Sequence, residues 1–240
     1  MRFNKVIYIR YMPLTFKVYN DFYIKDLIDI ELEVEYWDVT NIFFKNSYGI
    51  EDSSHLCLTI KINSYKEFDQ KIKNLNNLNS TIFVSIMTFE PRISKLYQIL
   101  TKHNCTLSVF GRNMFPQPEK SKNNLILSIS LLKKLFSYVK SIKFTLMIKS
   151  GRIKKYDIVF LGGTFGWQGI GRISKKYINN SEIVKVNSDD YDNYLEIKNT
   201  KTEISNKYIL FLDEYLPLHP DTHLFKIKNV TPEKYYPELR

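Results

Sequence analysis

The chain has 240 residues, enough for one large domain or two small ones. At 44% hydrophobic and 15% aromatic it carries the material of a buried core, which excludes general disorder. The formal charge of +10 comes from scattered lysines in a chain with few arginines and no alanine at all. That is a low-GC bias and not the clustered basic stripe of a nucleic-acid binder.

Nucleic acid is therefore not expected as a partner. The basic balance suits an anionic membrane face or phosphate-bearing substrates better. Single pairs such as Lys133-Lys134, Lys154-Lys155 and Lys175-Lys176 read as solvated faces. No apolar run reaches the ~20 residues that span a bilayer, and the N-terminus shows no small-residue cleavage site. These features point to a cytoplasmic protein, with the inner face of the membrane as an alternative station. Cys57 and Cys105 lack CxxC spacing and read as buried, reduced thiols.

In chain order, KVIYIR at Lys5–Arg10 reads as a buried strand. Residues 11–16 form a loop. Residues 20–30 carry apolar side chains at helical spacing, with Asn20 or Asp21 as N-cap. Residues 34–39 return as a strand, which makes a strand–helix–strand unit. A strand over 56–62 follows. Ser64 and Glu67 then have the spacing of a capping box that opens a helix running through Leu75. TIFVSIM, residues 81–87, is the clearest buried strand. Pro91 suits a helix first turn, and that helix is expected to reach His103 and stop at Asn104.

Residues 105–110 are again a strand, 111–124 a polar loop, and 125–147 one long helix or two shorter ones. Strands over 157–161 and Glu182–Val186 complete the set. The β-α alternation with short links predicts an open, doubly wound, mostly parallel Rossmann-like sheet with helices on both faces. Residues 1–200 form the first domain. Residues 201–240 differ. They hold a strong strand over 207–213, a loop with two prolines, and a helix start at Thr231-Pro232-Glu233. They read as the opening elements of a second domain that the chain does not complete.

Residues 162–172, GGTFGWQGIGR, hold five of the chain's eight glycines and follow the strand over 157–161. Gly166 to Gly171 has P-loop spacing, but Arg172-Ile173 stands where Lys and Ser or Thr are needed. The dinucleotide fingerprint fails as well, because Ser174 takes the place of the third glycine and the loop comes late in the chain. Two readings stay open. Bare amides of Gly162 and Gly163, with Arg172 nearby, suit a diphosphate or a sugar hydroxyl. Alternatively the loop only turns tightly, with Trp167 packing or stacking on an acceptor.

The D-x-V-F-x-G-G strand end (Asp157 to Gly163), the acidic D-Y-D-x-Y-L segment (Asp190 to Leu195) and I-L-F-L-D-E-Y-L-P-L-H-P-D (Ile209 to Asp221) together resemble bacterial surface-polysaccharide and lipopolysaccharide biosynthesis glycosyltransferases of the two-Rossmann (GT-B) architecture. The resemblance is loose over most of the chain and sharpest over residues 157–221. It implies an acceptor-side N-terminal domain, a nucleotide-sugar donor, and a glycan or lipid-linked acceptor. It implies no cofactor and no essential metal.

A sugar transfer to a hydroxyl calls for a general base. Asp213, Glu214 and His219 are the candidates, on the loop that follows the strong strand; His223 and Asp221 share that loop. His-Pro-Asp-Thr-His lacks the helical spacing of a metal site. Asp190-Tyr-Asp192 matches a D-x-D metal motif literally but reads better as a helix start with acids in its first turn. His103, at a helix end, reads as structural. Arg10 and Tyr11 end the first strand at the position that borders the cleft of an open sheet. Arg10 would pair with an anionic acceptor and Tyr11 would stack on a sugar. The rival class is a non-catalytic α/β binding module, or half of a split enzyme.

Overall fold

A computed structural model describes residues 3–44, 52–111, 131–163, 166–170, 178, 180–200, 207, 217, 222 and 231–236; of Leu131–Ser137 only the backbone is described. Seven strands form one open sheet: β1 (Lys5–Arg10), β2 (Glu33–Asp38), β3 (Leu58–Lys61), β4 (Thr81–Ser85), β5 (Thr106–Gly111), β6 (Ile158–Gly162) and β7 (Glu182–Val186). Every pairing is parallel, in the order β3-β2-β1-β4-β5-β6-β7. The order reverses between β1 and β4. This is an α/β Rossmann-like fold.

Parallel strands are covered on both faces, and two separate apolar clusters do this here. On one face Ile7, Ile9, Trp37, Phe83, Leu107, Val109 and Val159 pack under α4 (Tyr65–Lys73), α5 (Ser94–Lys102) and α6 (Leu131–Lys149). On the other, Val6, Tyr8, Val34, Tyr36, Ile82 and Val84 pack under α1 (Phe16–Asp21) and α2 (Ile24–Asp29). The register explains the division. Val6, Tyr8 and Arg10 stand beside Val34, Tyr36 and Asp38, so partners across the strands share a face.

Local chemistry sets several helix ends where the sequence places them. Ser64 Oγ accepts from Glu67 N at 3.1 Å, and Glu67 reaches back to Asn63 N at 2.8 Å, one residue upstream of the usual capping-box donor. Pro91 opens a 3₁₀ turn that leads into α5. His103 caps that helix, and Asn104 turns away with φ 51°.

The single helix expected over residues 20–30 is instead two. Thr15, and not Asn20 or Asp21, caps α1, accepting from Val18 N at 3.3 Å. Tyr23 then breaks the helix in the left-handed region, φ 58°. The cause is tertiary. Tyr8 Oη donates to the Phe22 carbonyl at 2.6 Å, the Phe22 ring meets Phe110 edge-on, and Tyr23 Oη donates to Asp192 at 2.6 Å. A short helix α3 (Thr40–Phe43) also appears, at residues with no periodic pattern of their own.

Asp192 belongs to α7 (Asp189–Ile197), whose N-cap is Ser188, accepting from Tyr191 N at 3.3 Å. The D-Y-D segment is thus a helix start. Thr231 precedes α8 (Pro232–Tyr235), as expected, with proline in its first turn. The strand expected over 207–213 lies almost wholly outside the described residues. No described helix is long and apolar enough to cross a membrane.

Candidate functional site

Open α/β sheets bind ligands beyond the carboxyl ends of their strands, at the point where strand order reverses. Here that point lies between the ends of β1 and β4. Arg10 is the last residue of β1 and Ser85 the last of β4. The backbone ladder continues on both sides of the reversal. Val39 N donates to the Arg10 carbonyl at 2.9 Å, and Ile86 N to the Ile9 carbonyl at 3.0 Å.

Arg10 is the chemically distinctive group at this edge. It lies on the Tyr8 and Tyr36 face of the sheet, half-buried, and its Nη1 is buried with no hydrogen-bond partner. Burial pushes the Tyr36 hydroxyl well up from its ordinary value, and the guanidinium beside it opposes that shift. The Tyr36 hydroxyl itself donates to the Met12 carbonyl at 2.8 Å, which fixes the loop after β1. Asp38 is the register partner of Arg10, yet makes no ion pair with it. Its Oδ1 accepts from Thr40 N at 2.9 Å and also from the Thr40 hydroxyl. The carboxylate is thereby engaged at the start of α3, and Arg10 Nη1 stays without a hydrogen-bond partner. A buried guanidinium nitrogen without a partner is costly, so the position favours an anion.

Tyr11 does not stand alone as a stacking platform. Its ring makes edge contacts with Phe43 and Phe44 at 5.8 and 5.7 Å between centroids. On the far side of the reversal, Ser85 Oγ accepts from Tyr97 at 2.7 Å, and Tyr97 in turn meets Tyr156 at 2.7 Å. These hydroxyls form a closed chain inside the core rather than a reactive group at its mouth.

The glycine loop sits further along the same edge. Gly162 is the buried last residue of β6, and Gly163 is exposed with φ 66°. The 3₁₀ turn Gly166–Ile170 folds back across the end of β5, and Ile170 O accepts from Phe89 N at 3.2 Å. Trp167 and Ile170 pack into the core from this turn. The Gln168 Oε1 on the same turn is buried without a partner, like Arg10 Nη1. Three strand spacings separate β1 from β6, so Arg10 and Gly162 stand roughly 14 Å apart along the edge. The structure places them on one rim and not in one cluster.

Asp213, Glu214, His219 and Arg172 lie outside the described residues. Among the described residues no group of three or more His, Cys, Asp or Glu side chains could hold a metal ion. Asp192 is engaged by Tyr23 and by Asn187, which donates to its other oxygen at 2.8 Å. His103 bonds Asp69 at 2.8 Å as a helix-end residue. Sequence reading missed Asp38, Ser85, Gly111 and Gln168 at this rim. The only signal for the first three was their place at the ends of strands.

The fold and its rim define the class: a Rossmann-like α/β domain with a buried arginine nitrogen, Arg10 Nη1, that has no hydrogen-bond partner at its switch point. The sequence matches no protein-family profile and no curated protein.

Proposed function

We propose that the chain binds a phosphate- or carboxylate-bearing ligand at the carboxyl rim, as the acceptor side of a GT-B glycosyltransferase of cell-surface polysaccharide assembly. The observation that carries the anionic ligand is Arg10, whose buried Nη1 has no partner at the point of strand-order reversal. The sugar-transfer chemistry rests on the resemblance of residues 157–221. In this reading a nucleotide sugar is the donor and a glycan or lipid-linked molecule the acceptor. Asp213, Glu214 or His219 would supply the base. Gly162, Gly163 and Arg172 would line the diphosphate end.

A second reading, a non-catalytic binding module, is favoured by Asp38. Asp38, the register partner of Arg10, has its Oδ1 held by Thr40 and not by the arginine. Calorimetry separates the two. The full chain is titrated with UDP-, CDP- and GDP-sugars and with phosphorylated oligosaccharides, alongside Arg10→Gln. Donor binding supports the transferase. Binding of the phosphorylated acceptor alone, weakened at least ten-fold by R10Q, supports the binding module. Binding that R10Q leaves unchanged removes Arg10 from either reading.

A further inference from the structure

α6 contradicts the usual economy of a surface helix. One side of it packs: Phe144 is buried in the core, and Met147 and Ile148 lean on the same cluster. The opposite side is apolar too, and exposed. Tyr138, Val139, Ile142 and Leu146 are 66, 55, 44 and 58% exposed. At about 100° per residue these four fall on one stripe about 100° wide, roughly opposite Phe144 and Ile148. A surface helix usually turns polar residues outward, whereas this outward stripe is apolar and uncovered.

The charge around the stripe indicates what covers it. Residues 131–149 contain five lysines and no acid. Lys140, Lys143 and Lys149 are exposed. Lys140 and Lys143 also border a groove of about 670 Å³ between α6 and the start of α5, which Arg92, Lys95 and Glu90 line from the other side. Glu90 is engaged by Arg92 at 3.5 Å, and Lys95 sits 4.5 Å over the Tyr65 ring. The groove is therefore cationic in balance. At the same spacing Lys149 falls on the stripe and Lys143 about 40° beyond its edge, while Lys140 and the groove lie on the packed side. An exposed apolar stripe with lysines on and beside it and no acid on the helix is the pattern of a helix that lies in a bilayer interface. The aliphatic side chains enter the acyl boundary, Tyr138 sits at headgroup level, and the lysines meet lipid phosphates. The same lysines prevent α6 from spanning.

We infer that the exposed face of α6 docks this protein on an anionic lipid surface, with Lys143 and Lys149 meeting the lipid phosphates. The inference is independent of what the carboxyl rim binds. A protein partner would be expected to bring acids to this face, and a second copy of the chain would set lysine against lysine.

Flotation of the full chain with vesicles tests it. Vesicles of equal parts phosphatidylcholine and phosphatidylglycerol are compared with pure phosphatidylcholine. The expected result is binding to the anionic vesicles alone, weakened by salt. Ile142→Glu with Leu146→Glu should abolish it. Lys143→Gln with Lys149→Gln should lower partitioning by roughly five-fold per lysine. Both pairs of side chains are exposed, so unchanged far-UV circular dichroism and melting should accompany the loss. The inference is overturned if neither vesicle binds, if both bind alike, or if I142E/L146E binds as well as the parent. It is also overturned if sedimentation shows a dimer that I142E/L146E dissociates while no vesicle is bound.

Discussion

Gly166 and Gly111 meet backbone against backbone. A Cβ on Gly166 would stand 2.1 Å from the Gly111 carbonyl oxygen, and a Cβ on Gly111 would stand 2.8 Å from the Gly166 oxygen. The glycine-rich segment after β6 thus needs a glycine at 166 because the 3₁₀ turn lies on the end of β5. Gly163 is glycine for a different reason, its φ of 66°, in open space.

The two glycines should therefore respond differently to alanine. Gly166→Ala has no flexible side chain to displace and should cost about 3 kcal/mol or more. Gly163→Ala should cost about 1–2 kcal/mol, the strain of a left-handed residue, and Gly163→Asn less. Urea unfolding of the three variants checks the order. Equal losses for G166A and G163A would sink the packing explanation.

Lys5 and Glu35 form an ion pair at the amino end of the sheet. Lys5 Nζ also reaches Glu33 at 2.5 Å, while Glu35 accepts from Trp37 Nε1 at 2.7 Å. Glu35 is 6% exposed, so removing its partner leaves a buried carboxylate uncompensated. Lys5→Met should cost about 3–5 kcal/mol, and the double variant Lys5→Met/Glu35→Gln should recover much of that. A double-mutant cycle in urea measures the coupling. Additive losses would show that the pair contributes nothing as a pair.

The buried hydroxyls and thiols set an alkaline limit. Burial pushes Tyr97 up to about 12 and Tyr156 well above its ordinary value. It pushes Cys57 up to about 11 and Cys105 up to about 12. Each group ionises earlier in the unfolded chain, near pH 9 for the thiols and near pH 10 for the phenols. Their stabilising contribution is complete below about pH 9 and falls as pH rises from there towards 12. Urea midpoints should hold steady below pH 9 and drop progressively above it. Tyr97→Phe should cost more than Tyr156→Phe at pH 7, because Tyr97 bonds both Ser85 and Tyr156. A reversed order would mean that the chain of hydroxyls does not depend on Tyr97.

Much of the fold was legible because its signals are local. The strand at Glu182–Val186 forms where its β-branched residues Ile183, Val184 and Val186 place it. Ser64, Pro91 and Asn104 mark helix boundaries by their own backbone and side-chain chemistry. The Tyr23 break was not legible. The pattern of residues 20–30 suits one helix, and the break is imposed by Tyr8 from β1, Phe110 from β5 and Asp192 from α7, up to 169 positions away. The rim was half legible. Arg10 was found as a strand end, but its unpaired Nη1 could not be read from its neighbours in sequence.

The sequence by itself determined the alternation of strands and helices, the two-sided burial and the capped helix ends, since periodicity and capping act within a few residues. Only the tertiary structure decided the strand order, the partner of each rim residue and the face each side chain takes. Parallel register between strands tens of residues apart sets Arg10 beside Asp38, and the Thr40 contact then takes the carboxylate away. The same distant pairing brings Gly166 onto Gly111. Such contacts depend on where chain segments meet, and no local pattern encodes that.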